Sequence, residues 1–215
     1  MKSSSTCCAV AERFLLALLL GLVLLPVGPA QGAKRKAKKD LDPAFLIQPF
    51  LSPEYAQWLI GPVARIATED EIETYLRLQD DEAAKGFIEE FWARRDPFPA
   101  EAGNPVRDLY EERATEVDNL YGENLYRGRH TDRGTIYVLY GPPEETDREV
   151  APYYGGEAIE VWRYPKGSEK GLDGQQPERS YRFMRDGDRT IFYNEALISR
   201  KKKAADRIPR PDRGF

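Results

Sequence analysis

Cysteine is almost missing from this chain, and the two it has are in the wrong place to do much. Of 215 residues only Cys7 and Cys8 are cysteines. Both precede a long apolar run, whereas lipidation needs a cysteine just behind one. Beyond residue 8 the chain can form no disulfide, no thiolate nucleophile and no Cys-ligated metal site. Its stability has to come from packing. Histidine is scarcer still: His130 is the only one. A His-based metal site would need carboxylates for every other ligand, so no metal and no cofactor is expected. A Ser/His/Asp arrangement would have to use His130, and Asp132 lies too near in the chain to be its partner unaided. No serine sits in a nucleophile-elbow context, and no glycine pattern resembles a phosphate loop. Asp186-Gly187-Asp188 is too short for a calcium loop. No catalytic residue is assigned.

Basic charge is missing from the body. Residues 40–199 hold 18 Lys and Arg against 33 Asp and Glu. Phosphate contacts need a basic footprint, so nucleic acid is excluded as a partner. The basic residues gather at the ends, five in 34–39 and seven in 200–215. These tails read as solvated linkers, with contact to an anionic membrane surface as the other use for them. Paired carboxylates could hydrolyse a polymer, but 33 acids give no pair a distinguishing mark.

What is present begins with an export pattern. Lys2 and Arg13 flank a polar start, Phe14 to Leu25 is apolar, and small residues follow at Gly28, Ala30, Gly32 and Ala33. That predicts a signal peptide over 1–33, cleaved between Ala30 and Ala33, with the protein periplasmic or extracellular. The run is shorter than the about 20 residues of a spanning helix, and Pro26 interrupts it. A basic linker and extended lead-in follows over 34–53. There Phe45-Leu46-Ile47 and Phe50-Leu51 are expected to anchor on the body.

The domain proper, 54–198, opens with helices. Ser52-Pro53 starts a short one. Thr68-Glu69-Asp70-Glu71 has the form of a capping box. Asp80 or Asp81 caps a helix whose Phe87, Ile88, Phe91 and Trp92 should be core, and Asn104-Pro105 opens another that runs to Tyr121. After residue 134 the pattern alternates: Ile136, Val138 and Tyr140 against Tyr137 and Leu139. That predicts the first and central strand of the only sheet. Residues 158–164 read as a second strand. Gly167 to Pro177 reads as a mobile polar loop, and Asp186-Gly187 as a hairpin turn. The residues after Ile198 read as a basic disordered tail, 199–215. The fold class expected is α+β, N-terminal helices packed on a small antiparallel sheet of three to four strands.

The stretch Gly128 to Pro143 marks the change from helix to sheet. It resembles the signature of the GWxTD domain, an exported bacterial domain. Gly128, Thr131, Asp132, Arg133, Gly134, Tyr140, Gly141, Pro142 and Pro143 match position by position. Arg129 stands where the motif has tryptophan, so no role of that tryptophan carries over. The similarity extends over about 60–195, including Phe87 to Pro97, Asn104 to Tyr121, Glu160 to Tyr164 and Arg185-Asp186-Gly187. It implies an exported bacterial envelope protein and brings no activity with it. Read by themselves, Thr131 and Asp132 are turn formers that accept backbone N–H bonds, with Arg94, Arg95 or Arg129 as ion-pair partners for Asp132. The function expected is a non-enzymatic envelope module that binds or scaffolds an envelope protein or a glycan. Tyr137, Tyr140, Tyr153, Tyr154, Trp162 and Tyr164 are its candidate binding aromatics. The rival is a carboxylate-dependent hydrolase of cell-wall or extracellular polymer.

Overall fold

The computed structural model describes residues 42–207. The signal peptide, its cleavage point, the basic run 34–39 and the end of the basic tail lie outside the described residues.

The chain enters as a strap. A 3₁₀ turn, Pro43–Leu46, leads to helices α1 (Pro53–Ala56) and α2 (Pro62–Ile66). Leu46 and Leu51 are buried anchors, and so is Gln48. The Gln48 side-chain amide donates to Leu76 O and Leu78 O at 2.6 and 2.7 Å, and its Oε1 accepts Phe50 N at 3.1 Å. Phe45, Ile47 and Phe50, by contrast, point outward, so only part of the lead-in docks as expected.

Helices α3 (Glu69–Tyr75), α4 (Asp81–Ala93) and α5 (Pro105–Leu120) begin where their caps predict. Thr68 and Glu71 make both arms of the capping box, at 3.2 and 2.8 Å. Asp80 accepts from Ala83 N, and Asn104 from Val106 N and Arg107 N. Arg94 and Arg95 both turn to Glu71, with N–O separations of 3.0 and 2.6 Å. Burial pushes the Glu71 carboxyl up, but the hydrogen bonds from Arg95, Thr68 N and Arg94 outweigh that and bring its pKa to about 2.

The predicted strand after residue 134 is instead helix α6, Asp132–Tyr140. Gly134 through Leu139 are all buried. A helix enclosed on every side has no polar face. Its sequence is then one apolar run that periodicity cannot separate from a buried strand. The large residues Tyr137, Val138, Leu139 and Tyr140 suggested pleating only because nothing polar interrupted them.

The sheet follows α6 as a meander of β1 (Glu145–Glu149), β2 (Ile159–Arg163), β3 (Ser180–Asp186) and β4 (Arg189–Phe192), all neighbours antiparallel. The fold is α+β with the main helices ahead of the strands, as expected. Strand β1 has no apolar residue to announce it. It is held by backbone pairing with β2, with Asp147 opposite Val161 and Glu149 opposite Ile159. The β3–β4 turn has Gly187 at its first central position with φ +63°, which suits a two-residue hairpin. One sheet face presents Trp162 and Phe183 to the helices, their ring centroids 5.0 Å apart. Ile159, Val161 and Met184 are buried on the other face. There Ile198 of α7 (Glu195–Ala205) meets Ile159 and Met184 around a hollow.

Helix α7 occupies residues expected to be disordered. Asn194 caps it through Leu197 N, Ile198 is buried, and Lys201 Nζ reaches Arg185 O and Asp186, both at 2.9 Å. The 167–177 loop lies against the end of α6 through Leu172 N to Leu139 O, 3.0 Å.

Candidate functional site

The conserved-looking signature is built from close backbone contact. After α5, a 3₁₀ turn spans Gly128–His130. A Cβ on Gly128 would lie 1.7 Å from Val117 O, and one on Gly134 would lie 1.9 Å from Gly128 O. Neither glycine has a positive φ. Each is there because two chain segments approach too closely for any side chain.

Thr131 is the N-cap of α6. Its Oγ1 accepts Gly134 N at 3.0 Å and donates to Gly128 O at 2.7 Å, and the residue is buried. Thr135 repeats the device one turn on, donating to Thr131 O at 2.9 Å. Asp132 opens the helix, where its charge suits the dipole. Its Oδ2 accepts Phe192 N at 2.6 Å and so ties α6 to β4. The arginines proposed as its partners are engaged elsewhere. Arg94 and Arg95 hold Glu71, and Arg129 holds Asp118, its Nε 2.9 Å from Asp118 Oδ2. Asp118 Oδ1 also accepts Arg129 N.

Arg133 carries a buried ionic network. Its Nη2 donates to Glu123 at 2.6 Å and its Nη1 to Glu160 at 3.1 Å, with the guanidinium 5.0 Å from the Tyr121 ring centroid. Glu123 also accepts Thr190 N, and Glu160 accepts Trp162 Nε1. Arg133 thereby links the loop after α5, helix α6, β2 and β4. Glu123 and Glu160 were not singled out from sequence. One signal was there: the alternation of β2 puts Glu160 on the same face as Trp162, and a carboxylate on a buried face needs a cation.

At the far end, Gly141 has φ +82° and closes α6. Its N–H donates to Tyr137 O, and its carbonyl accepts Tyr164 Oη at 2.9 Å. Arg113 of α5 donates to Val138 O and Leu139 O, the last carbonyls of the helix. Pro142 and Pro143 then prevent continuation. Tyr140 Oη donates to Asp173 at 2.8 Å; burial and that carboxylate push its pKa up. A groove of about 370 Å³ opens here, between Tyr140, Pro142, Tyr164 and the loop carrying Pro165 and Lys170.

His130 and Asp132 share a second, smaller hollow of about 70 Å³, walled also by Leu46, Thr135 and Phe192. Burial, with Arg127 and Arg129 adding to it against Asp118, lowers the His130 pKa to about 4, so the ring is neutral at pH 7. Of the candidate aromatics, Tyr137, Trp162 and Tyr164 are core, while Tyr154 is exposed. Among the described residues no group of three or more His, Cys, Asp or Glu is placed to hold a metal ion. No helix among them is long and apolar enough to cross a membrane.

A family model described as the GWxTD domain matches residues 36–190, ending at the start of β4. No curated protein and no solved structure matches the chain.

Proposed function

The chain belongs to the GWxTD domain family, and on that premise we propose that it is a non-enzymatic module of the bacterial cell envelope, binding or scaffolding another envelope protein or a glycan. One observation carries the reading. The motif's polar groups are directed inward: Thr131 to Gly128 and Gly134, Asp132 to Phe192, Arg133 to Glu123 and Glu160. A motif used in this way sets the shape of a surface rather than a reaction centre. The surface best suited to a ligand is the groove at Tyr140 and Pro142, whose volume lies in the range of ligand sites, about 300–1,000 Å³. The export pattern of residues 1–33 supports the location.

A second reading, the carboxylate-dependent hydrolase, draws on the hollow that brings His130 and Asp132 together. Against it, that hollow is well below the size of a ligand site, and Asp132 Oδ2 already accepts a backbone N–H.

The test immobilises the protein and offers it solubilised envelope proteins and isolated cell-wall glycan. Saturable retention that falls in Lys170→Glu/Pro142→Ser, with an unchanged circular dichroism spectrum, is the expected result. Steady release of soluble fragments from the glycan, lost in Asp132→Asn with the fold intact, overturns the proposal in favour of the hydrolase.

A further inference from the structure

The strap that precedes α1 has two sides of different character. Leu46, Gln48 and Leu51 hold it to the body, almost fully buried. Phe45, Ile47 and Phe50 alternate with them and stand in solvent at 75%, 44% and 69% exposure. Three large apolar side chains within six residues, on a segment clamped by Gln48 to Leu76 and Leu78, form a fixed outward patch rather than a frayed end. Isolated exposed apolar residues need no explanation, but a contiguous set held in place marks an interaction surface.

The neighbouring chain indicates what covers it. Residues 34–39 read Lys-Arg-Lys-Ala-Lys-Lys. Only four residues separate Lys39 from Pro43, a reach of at most about 14 Å. The basic groups are therefore bound covalently close to the apolar patch. Asp40 and Asp42 offset two of the five charges. Asp42 is also occupied, accepting Ala44 N at 3.0 Å to cap the 3₁₀ turn.

We propose that Phe45, Ile47 and Phe50 form a membrane-docking patch, inserting into the interfacial layer of an anionic bilayer while the 34–39 run contacts its headgroups. Apolar side chains backed by a basic cluster are the two signals that together give stable peripheral attachment, each being marginal by itself. A Lys or Arg near an anionic surface strengthens attachment by roughly fivefold. The same charges oppose a second copy, because a twofold contact through this patch would bring two basic runs together. The acidic body would be held off the lipid, which orients the domain with its strap toward the membrane. The proposal stands whichever ligand the groove at Tyr140 takes.

The test uses residues 34–215, which contain the whole described core, in co-sedimentation with vesicles of phosphatidylcholine alone and of phosphatidylcholine with phosphatidylglycerol. Binding to the anionic vesicles is expected. Phe45→Ser/Phe50→Ser should weaken it by about tenfold or more, as the loss of two inserted rings requires. Both positions are exposed, so the fold is retained, which circular dichroism checks. In Phe50→Trp, quenching by brominated lipid reports insertion directly and is expected only with anionic vesicles. Three results overturn the proposal: no vesicle binding, binding equal in wild type and the double serine variant, or a dimer in sedimentation equilibrium that the double variant abolishes without any vesicle binding.

Discussion

Two helices in this protein start on a threonine, and they start for different reasons. Thr68 caps α3 with the help of a side chain, Glu71, which reaches back to Thr68 N and is itself gripped by Arg94 and Arg95. Thr131 caps α6 with no such help, because the third residue is Gly134. There the hydroxyl works in both directions, to Gly134 N and Gly128 O, in a joint where the backbones of α5, the 3₁₀ turn and α6 touch. The first start is local and half exposed; Ile72 and Tyr75 are the buried residues of its helix. The second is tertiary and enclosed. A local device can be recognised in the chain, since all its parts lie within four residues. An enclosed one cannot, since what makes Gly128 and Gly134 necessary is the position of Val117 and of each other.

The sharpest way to break the comparison is to put a methyl group into the enclosed joint. Gly128→Ala places it 1.7 Å from Val117 O, and unfolding in urea should show a loss of about 4 kcal/mol or more, or no folded protein. Arg133→Met comes next. It leaves Glu123 and Glu160 inside without their cation and should cost about 3 kcal/mol in the same measurement. The two caps can then be compared directly. Thr131→Ala should cost about 2 kcal/mol and Thr68→Ala about 1 kcal/mol, because only the first also strips a buried carbonyl of its donor. Equal losses would mean that the two joints do not differ as described.

Acid separates the regions by pH. Glu71 has a folded pKa of about 2 against an ordinary 4.5, so its stabilisation is complete above 4.5 and is lost as pH falls toward 2. His130 has its folded pKa lowered from 6.5 to about 4, so the unfolded chain takes up that proton first and stability falls as pH drops between those values. Thermal unfolding across pH should therefore lose its upper acid limb in His130→Gln and its lower one in Glu71→Gln. The smallest effect is a gain. Gly86 lies on the exposed part of α4 with nothing within 4 Å of its Cβ position, and Gly86→Ala should raise stability by about 0.5–1 kcal/mol. The same substitution, glycine to alanine, then carries opposite signs in the two halves of the comparison.

Much of the fold was legible. Thr68, Asp80 and Asn104 begin helices, Phe91 and Trp92 are core, residues 159–163 are a strand, and Gly187 turns a hairpin. In each case the deciding contacts lie within a few residues. The misreadings share a cause as well. Helix α6 was taken for a strand because full enclosure removes amphipathicity, the feature that distinguishes the two. Strand β1 shows nothing but charged and polar residues, and it is a strand because β2 offers it a partner. Helix α7 looked like a basic tail until Ile198 and Lys201 met the sheet. In the candidate site, Thr131 and Asp132 stood out as turn residues. Their partners Gly128 and Phe192, and the Glu123 and Glu160 that hold Arg133, could be paired only in space.

From the order of its residues alone this protein determined its helix starts, its α+β class, its acidic body and the family signature at Gly128 to Pro143, because caps, turns and charge depend on near neighbours. Only the tertiary structure decided that the signature is a buried helix, that Arg133 joins four elements, and that Phe45 and Phe50 face outward while Leu46 and Leu51 face in. Those outcomes depend on which distant segments come into contact, and burial by a distant segment leaves no local mark in the chain.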